Sequence, residues 1–186
     1  VFGMDFRLPN MKFAAIARCP VTFGTVKSFN KTEALKIKGV EAVFEIPRIE
    51  KPFGALGGVV VVASNTWAAF KGKEALEIEW DYGKNASYDS EKYMEQITQN
   101  VHKPGVVKKE VGDVEKAFAA SSKIVESTFQ LPHLSHAPME TPNAVAWVKY
   151  NSCEVWAPTQ NPQSAHEEVV DYLKLPADNV IINVTF

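Results

Sequence analysis

Cysteine is scarce in this 186-residue chain, which contains only Cys19 and Cys153. An iron–sulfur cluster normally takes about four cysteine ligands, so the chain cannot hold such a cluster by itself. Because free cysteine is among the most buried residue types, we expect two separate buried thiols, with a disulfide between distant parts of the chain as the alternative. The cysteine content therefore excludes an autonomous iron–sulfur protein.

A strong net charge and long apolar runs are also lacking. The formal net charge of −2 offers no general attraction to nucleic acid or to an anionic membrane. The longest apolar run, residues 59–63, has strand length and falls far short of the roughly 20 residues that a membrane-spanning helix needs. No signal peptide is visible, although a start at Val1 rather than Met leaves room for an upstream segment that was removed.

Short strands and helices alternate along residues 1–82. Strand patterns are found at residues 11–17, 40–46, 59–63 and 76–81. Thr32 is expected to cap one short helix, and Asn65 or Thr66 to cap a second. A loop containing Pro52 and several glycines lies between the second and third strands. The pattern predicts a compact unit of mixed helices and strands.

The rest of the chain predicts a connector followed by a second unit. Within residues 83–120, one helix is expected at 90–100 and another after the capping residue Asp113. Residues 121–186 open a second unit, in which Asn161 caps a helix that has Pro162 at its first position. Strands of this unit are expected at residues 123–131, 144–150, 153–157 and 180–186. The whole arrangement predicts an α+β fold.

Two proline-stiffened loops in the second unit carry the polar groups with the most chemical interest. Glu140 lies between Pro138 and Pro142, and Gln160 lies between Pro158 and Pro162. A neutral amide such as Gln160 offers both donors and an acceptor, and it precedes a helix N-terminus, where anionic partners are favoured. Taken on the residues alone, a structural role explains both: Glu140 accepts backbone N–H bonds, and Gln160 spaces the turn before its capping neighbour.

Other polar clusters give weaker signals. His133 and His136 near Glu140 have the residue types of a metal site, but their spacing on a loop is not diagnostic. Ser135, His136 and Glu140 would be the residues of a small hydrolase, although no nucleophile elbow or oxyanion loop accompanies them. No metal ligand set is therefore predicted.

Two regions resemble the large subunit of the molybdenum hydroxylases, the xanthine dehydrogenase and aldehyde oxidoreductase family, and especially the isoquinoline 1-oxidoreductase type. Residues 4–82, with LPNM, ARCP and GVEAVF, are similar to the α/β-hammerhead domain that opens these subunits. Residues 129–186, with HAPMETPNAVA and CEVWAPTQNPQ, are similar to the start of the molybdopterin-binding region. The resemblance implies a hammerhead-like domain at 1–82, a connector with helices at 83–120, and an incomplete molybdopterin-binding domain at 121–186.

The resemblance also implies a function. Gln160 would approach the molybdenum cofactor, and Glu140, Thr159 and Asn161 would line the same pocket. The glycine-rich pterin loop and the general-base glutamate of the family are expected downstream of Phe186, so no catalytic residue is expected in this chain. We accordingly expect an N-terminal fragment that by itself binds no molybdopterin and is inactive.

In the full-length protein, the implied reaction hydroxylates an aldehyde or an N-heterocycle, with water as the oxygen source. Electrons would pass to a small [2Fe-2S] partner subunit, and the downstream part of the large subunit would complete the site. The resemblance is compatible with a periplasmic or membrane-associated location. The alternative is a non-catalytic hammerhead-type module used for assembly or partner binding.

Overall fold

The fold is given by a computed structural model, which describes residues 2–51 and 54–186. Its strands are β1 (Phe13–Ala17), β2 (Thr25–Asn30), β3 (Val40–Ile46), β4 (Gly58–Ala63), β5 (Glu77–Asp81), β6 (Val145–Val148), β7 (Cys153–Ala157) and β8 (Val180–Val184). Its α-helices are α1 (Thr32–Lys36), α2 (Thr66–Glu74), α3 (Ser90–Val101), α4 (Val114–Ala120) and α5 (Pro162–Leu173). Helices and strands are mixed along the chain, and four of the five strand pairings are antiparallel, which confirms the predicted α+β class. Pro52, in the loop predicted between β3 and β4, lies outside the described residues.

The core of the N-terminal part is built on β4, which pairs antiparallel with β1 on one side and β3 on the other. Val59 and Val61 are completely buried, as their continuous apolar run predicted. Helix α2 covers one face of this sheet and is capped by Asn65, whose side chain accepts the N–H of Ala68 at 2.9 Å. The predicted Asn65 cap is therefore confirmed.

A second, two-stranded sheet pairs β2 with β5 and packs on the same core. Strand β2 was not predicted, because its two inward residues, Val26 and Phe29, are three positions apart rather than two. A β-bulge between Val26 and Ser28 shifts the register and turns both side chains to the same face. The predicted Thr32 cap is also wrong: α1 begins at Thr32, and the capping position is Lys31, which makes no side-chain cap hydrogen bond.

The C-terminal sheet has the order β6-β7-β8, with β6 antiparallel and β8 parallel to β7. Helix α5 connects β7 to β8 and packs Val169, Val170 and Leu173 on the buried residues of these strands. Cys153 is buried in this cluster, and burial raises the pKa of its thiol. Cys19 is only half-buried, and both thiols are free, so the expected burial is confirmed for Cys153 alone.

Residues 121–143, between α4 and β6, form no strand, and the strand predicted at residues 123–131 is wrong. The alternation of Val125, Phe129 and Leu131 with polar neighbours is present, yet these side chains are exposed. A strand exists only when another strand satisfies its backbone groups, and no described segment pairs with this one. Helix α4 and its Asp113 cap are as predicted. Within residues 2–51 and 54–186, no helix combines the length and the apolarity required to cross a lipid bilayer.

Candidate functional site

The loop that carries Gln160 leaves the end of β7 and enters α5 under tight backbone control. The N–H of Thr159 donates to the carbonyl of Ala157 at 2.9 Å. The N–H of Asn161 donates to Thr159 Oγ1 at 3.1 Å. Pro158 and Pro162 restrict the backbone on either side of these bonds. The backbone around Gln160 is therefore ordered by local interactions that do not use the Gln160 side chain.

The far end of the same loop is fixed by helix capping. Asn161 precedes Pro162 at the first helical position, and its Oδ1 accepts the N–H of Ser164 at 3.2 Å. This is the predicted cap, and it aligns the positive end of the α5 dipole with the loop. From the other side, the N–H of Thr185, just after β8, donates to the Ala157 carbonyl at 3.1 Å. The loop is thus tied to both elements that flank it.

The Gln160 side chain itself is exposed. Within the described ranges its amide makes no hydrogen bond, in contrast to both of its neighbours. Its two donors and its acceptor are consequently available to a group that approaches from outside. The structure does bring Thr159, Gln160 and Asn161 together in one loop, but it gives Thr159 and Asn161 structural hydrogen bonds.

Glu140 lies in the other proline-bracketed loop and is half-buried. Its Oε1 accepts the backbone N–H of Met4 at 2.9 Å. The neighbouring Thr141 contacts Met4 as well, with its Oγ1 at 3.3 Å from the sulfur. Glu140 therefore has the loop-fixing interaction that the sequence suggested, although its partner is 136 residues away in sequence. No hydrogen bond among the described residues joins Glu140 to the Gln160 loop.

Two of the histidine and serine candidates, His133 and Ser135, have structural partners. His133 Nε2 lies 2.7 Å from the hydroxyl of Tyr88, and its ring stacks on Tyr93 with centroids 5.8 Å apart. Ser135 Oγ accepts the N–H of Ala137 at 3.4 Å and makes no hydrogen bond to His136. In the part of the chain that the structure describes, no three His, Cys, Asp or Glu side chains come together as a metal site. The hydrolase and metal-site interpretations therefore have no geometry to support them.

A large open groove lies elsewhere, on the N-terminal part of the molecule. Its volume is about 980 Å³, and its lining includes Phe23, Arg48, Leu56, Tyr82 and Lys84. None of Glu140, Thr159, Gln160 and Asn161 lines it. We place the candidate site at the Gln160 loop rather than in this groove because the loop combines an ordered backbone with an unpaired polar group.

Sequence reasoning did not find the residues that touch this site from the N-terminus. The aromatic ring of Phe6 stacks on that of Trp156, with centroids 4.3 Å apart and planes inclined by 23°. Trp156 is the penultimate residue of β7, directly before the Gln160 loop. Contacts over such a sequence separation leave no periodic signal in the sequence.

Comparison with protein families gives one match in this part of the chain. Residues 94–186 match the family described as the molybdopterin cofactor-binding domain. This range contains the Glu140 loop, the Gln160 loop and the whole C-terminal sheet. Both predicted contact loops therefore lie in the matched region.

Three curated relatives align with most of the chain. It is 25% identical over 186 residues to the membrane-bound aldehyde dehydrogenase [pyrroloquinoline-quinone] of Gluconacetobacter polyoxogenes, covering 98% of this chain and 24% of that protein. It is 26% identical to the nicotinate dehydrogenase large molybdopterin subunit of Eubacterium barkeri, covering 97% and 48%. The isoquinoline 1-oxidoreductase subunit beta of Brevundimonas diminuta is 24% identical, covering 87% and 21%. The chain thus spans between about a fifth and a half of the length of these relatives.

A solved structure shares the fold. The chain superimposes on the quinoline 2-oxidoreductase of Pseudomonas putida 86 with a TM-score of 0.63 and 19% identity. The alignment covers 98% of this chain and 28% of the other. The arrangement of helices and strands described above is therefore also found within a much longer polypeptide.

Proposed function

The chain belongs to the molybdopterin cofactor-binding domain family, and we propose that it supplies one wall of the cofactor site of a molybdenum-dependent oxidoreductase. One observation carries the proposal: residues 94–186, which match the family, include an exposed amide on an ordered loop at a helix N-terminus. Two of the relatives are named as enzyme subunits, one of them as a large molybdopterin subunit, which supports the large-subunit origin that the sequence resemblance implied.

The residues present suit such a cofactor. The described residues offer no cluster of metal ligands, so the metal would arrive with its own ligands, as it does on a pterin dithiolene. Gln160 is neutral, and its N–H groups can donate to an oxygen on the metal without placing a full charge beside it. The N-terminal end of α5 favours the negative charge of the cofactor. Each of these features fits a bulky anionic group that is held mainly by hydrogen bonds.

In the proposed role, the residues of this chain orient the cofactor and do not transfer protons. When bound, the molybdenum cofactor supplies the oxidation chemistry, in which a carbon centre gains an oxygen atom derived from water. The Gln160 amide would donate a hydrogen bond to the bound cofactor and so help to hold its orientation. Thr159 and Asn161 keep the Gln160 backbone in place through their own hydrogen bonds. Glu140, which is occupied by the N–H of Met4, fixes the neighbouring loop.

We infer an aldehyde or an N-heterocycle as the substrate class. The similar proteins are named for aldehyde, nicotinate, quinoline and isoquinoline, which are electron-poor at the carbon that is oxidised. A small [2Fe-2S] subunit would receive the electrons, and the downstream polypeptide would supply the general-base glutamate. The hammerhead-like domain at 1–82, the connector with helices at 83–120 and the incomplete molybdopterin-binding domain at 121–186 belong to the same proposal.

Two alternatives are distinguished by cofactor content. One relative is named for pyrroloquinoline quinone, an organic cofactor without a metal. A non-catalytic assembly module would carry neither. Elemental analysis of the complete enzyme that contains this sequence should find about one molybdenum per large subunit; a quinone absorbance without molybdenum, or neither group, would refute the assignment.

The role of Gln160 is tested by Gln160→Ala in the complete enzyme. Loss of one hydrogen bond worth about 1.4 kcal/mol should lower kcat roughly tenfold. Because the side chain is exposed, the melting temperature should stay the same. Gln160→Glu should lower kcat further, since its carboxylate repels an electron-rich oxygen ligand. Gln163→Ala is the matched control, because Gln163 is an exposed glutamine in the first turn of α5 whose side chain, among the described residues, hydrogen-bonds Glu167. Unchanged kinetics for Gln160→Ala would remove Gln160 from the site.

A further inference from the structure

The first residues of the chain lie against the C-terminal part of the molecule. Phe2 packs near the ring of Phe186, with centroids 6.1 Å apart, and Phe6 stacks on Trp156. Gly3 is buried between these two aromatic contacts. Residues 2–6, called the N-terminal segment below, therefore make their aromatic contacts with residues that flank the C-terminal loops.

Glycine leaves room for this close approach. A Cβ atom at Gly3 would collide with Asn143 Oδ1, so that side chain would have to move, and it would lie 3.3 Å from Thr185 Oγ1. Asn143 follows the Glu140 loop, and Thr185 follows β8 and donates its N–H to Ala157. The N-terminal segment consequently sits where the two candidate loops converge on the end of the sheet.

The segment makes one specific contact with the Glu140 loop and one with β7, the strand that leads into the Gln160 loop. In the first loop, Glu140 accepts the Met4 N–H at 2.9 Å, and this charge-assisted bond is among the stronger kinds. Near the end of β7, one residue before the last residue of that strand, the Phe6 ring stacks on Trp156. Met4 and Phe6 are only two residues apart in the segment. They therefore link the regions of Glu140 and Gln160, which are 20 residues apart in sequence.

We propose that Met4 and Phe6 act as positioning residues that hold the Glu140 loop and the Gln160 loop in register with each other. This inference rests on the proposed function for its purpose, which is to present both loops to one cofactor. Its physical content is a coupling between the N-terminal segment and the backbone of residues 157–161. That coupling exists in the chain whether or not a cofactor is bound.

Amide hydrogen exchange on the 186-residue chain tests the coupling without any cofactor. In Phe6→Ala, exchange of the Thr159 and Asn161 amides should rise about threefold to tenfold, the equivalent of one aromatic pair. Exchange at the buried strand β4 should not change. Phe6→Tyr keeps the ring and should restore the exchange rates of the unmodified chain, and Phe118→Ala removes an exposed aromatic side chain from α4 as a matched control.

The Glu140 contact is tested in the reverse direction. Glu140→Ala removes the acceptor, and the Met4 amide should exchange roughly tenfold faster. Glu140→Gln keeps an acceptor oxygen and should recover much of the protection.

If Phe6→Ala does not fold, Phe6→Leu takes its place in the exchange experiment. Leucine preserves the apolar bulk while removing the aromatic stack.

The outcomes separate the two proposals. Unchanged exchange at Thr159 and Asn161 in Phe6→Ala, or an equal rise across the whole chain, overturns the positioning role. A failure of the proposed function appears elsewhere, as normal kinetics for Gln160→Ala in the complete enzyme. A faster exchange at these loop amides, together with rescue by Phe6→Tyr, supports the coupling even if the cofactor assignment is wrong.

Discussion

Replacing Asn161 by alanine should loosen the start of α5 and, with it, the end of the Gln160 loop. Asn161 Oδ1 accepts a single helix N–H, that of Ser164. Loss of an asparagine cap costs typically about 1 kcal/mol, within a range of about 0.5–2 kcal/mol. The bond is 3.2 Å long, at the upper end of the normal range, and its residue is exposed, so water can take over the N–H. We therefore expect the lower half of that range, about 0.5–1 kcal/mol.

This magnitude sets the assays. For a chain of this size, a loss of 1 kcal/mol lowers the melting temperature by about 2–4 °C, so Asn161→Ala should melt about 1–4 °C lower. Locally, the Ser164 amide should exchange about two to five times faster, as the same free energy implies. Circular dichroism gives the first quantity, and amide exchange followed by NMR gives the second.

Asn161→Ser is the matched control, since serine caps helices about as well as asparagine. It should melt like the unmodified chain. The reasoning is refuted if Asn161→Ala and Asn161→Ser melt together and show equal Ser164 exchange. A loss above about 3 kcal/mol would also contradict it, because an exposed cap is not worth that much.

Further predictions concern packing and pH. Gly72→Ala should destabilise the chain by about 1 kcal/mol. The new Cβ would lie 2.6 Å from a Val61 methyl group and 2.9 Å from a Val40 methyl group, and this crowding outweighs the gain in helix propensity. In thermal melts, the double change Gly72→Ala with Val61→Ala should lose less stability than the sum of the two single changes. The pKa of Asp113 is lowered mainly by its hydrogen bond to the Lys116 N–H and also by its bond to the Lys116 side chain. The stability that this cap gives α4 is therefore fully present above about pH 4, the unfolded-state pKa, and it is lost as the pH falls through the lower pKa of the folded state. NMR shifts of α4 should follow that titration, and Asp113→Asn, which caps without ionising, should abolish it; an unchanged titration in Asp113→Asn would contradict the assignment.

Local chemistry explains the parts of the fold that the sequence predicted correctly. Three helices are capped as their sequences predicted, by Asn65, Asp113 and Asn161. Each is a short polar side chain directly before a helical pattern, where its oxygen can accept an N–H that the first turn leaves without a partner. Strand β4 was predictable because a short continuous run of valines is typical of a strand that is buried on both faces. The identity of the Gln160 loop as a turn between a strand and a capped helix followed from the same signals.

The errors arose where a second part of the chain decides the structure. Strand β2 was missed because its bulge, at the pairing with β5, breaks the twofold alternation that reveals a strand. The alternation at residues 123–131 is intact, but the described chain supplies no partner strand, so the segment forms none. The stack of Phe6 on Trp156 and the Met4–Glu140 bond depend on how distant segments meet, which no local pattern encodes.

The exposure of Gln160 is consistent with a binding role once the entropy of ordering is considered. Ordering the backbone of one residue costs roughly 1–2 kcal/mol. If the four residues 158–161 were flexible before binding, ordering them would oppose binding by roughly 4–8 kcal/mol. Here that cost is already met on folding, through the bonds of Thr159, Asn161 and Thr185 to their neighbours. Only the side chain of Gln160 remains to be ordered, at a cost of up to about 2 kcal/mol, which one good hydrogen bond largely offsets. A side chain that must meet a group arriving from outside has to be exposed beforehand, and the restraint therefore belongs in the backbone, where the structure places it.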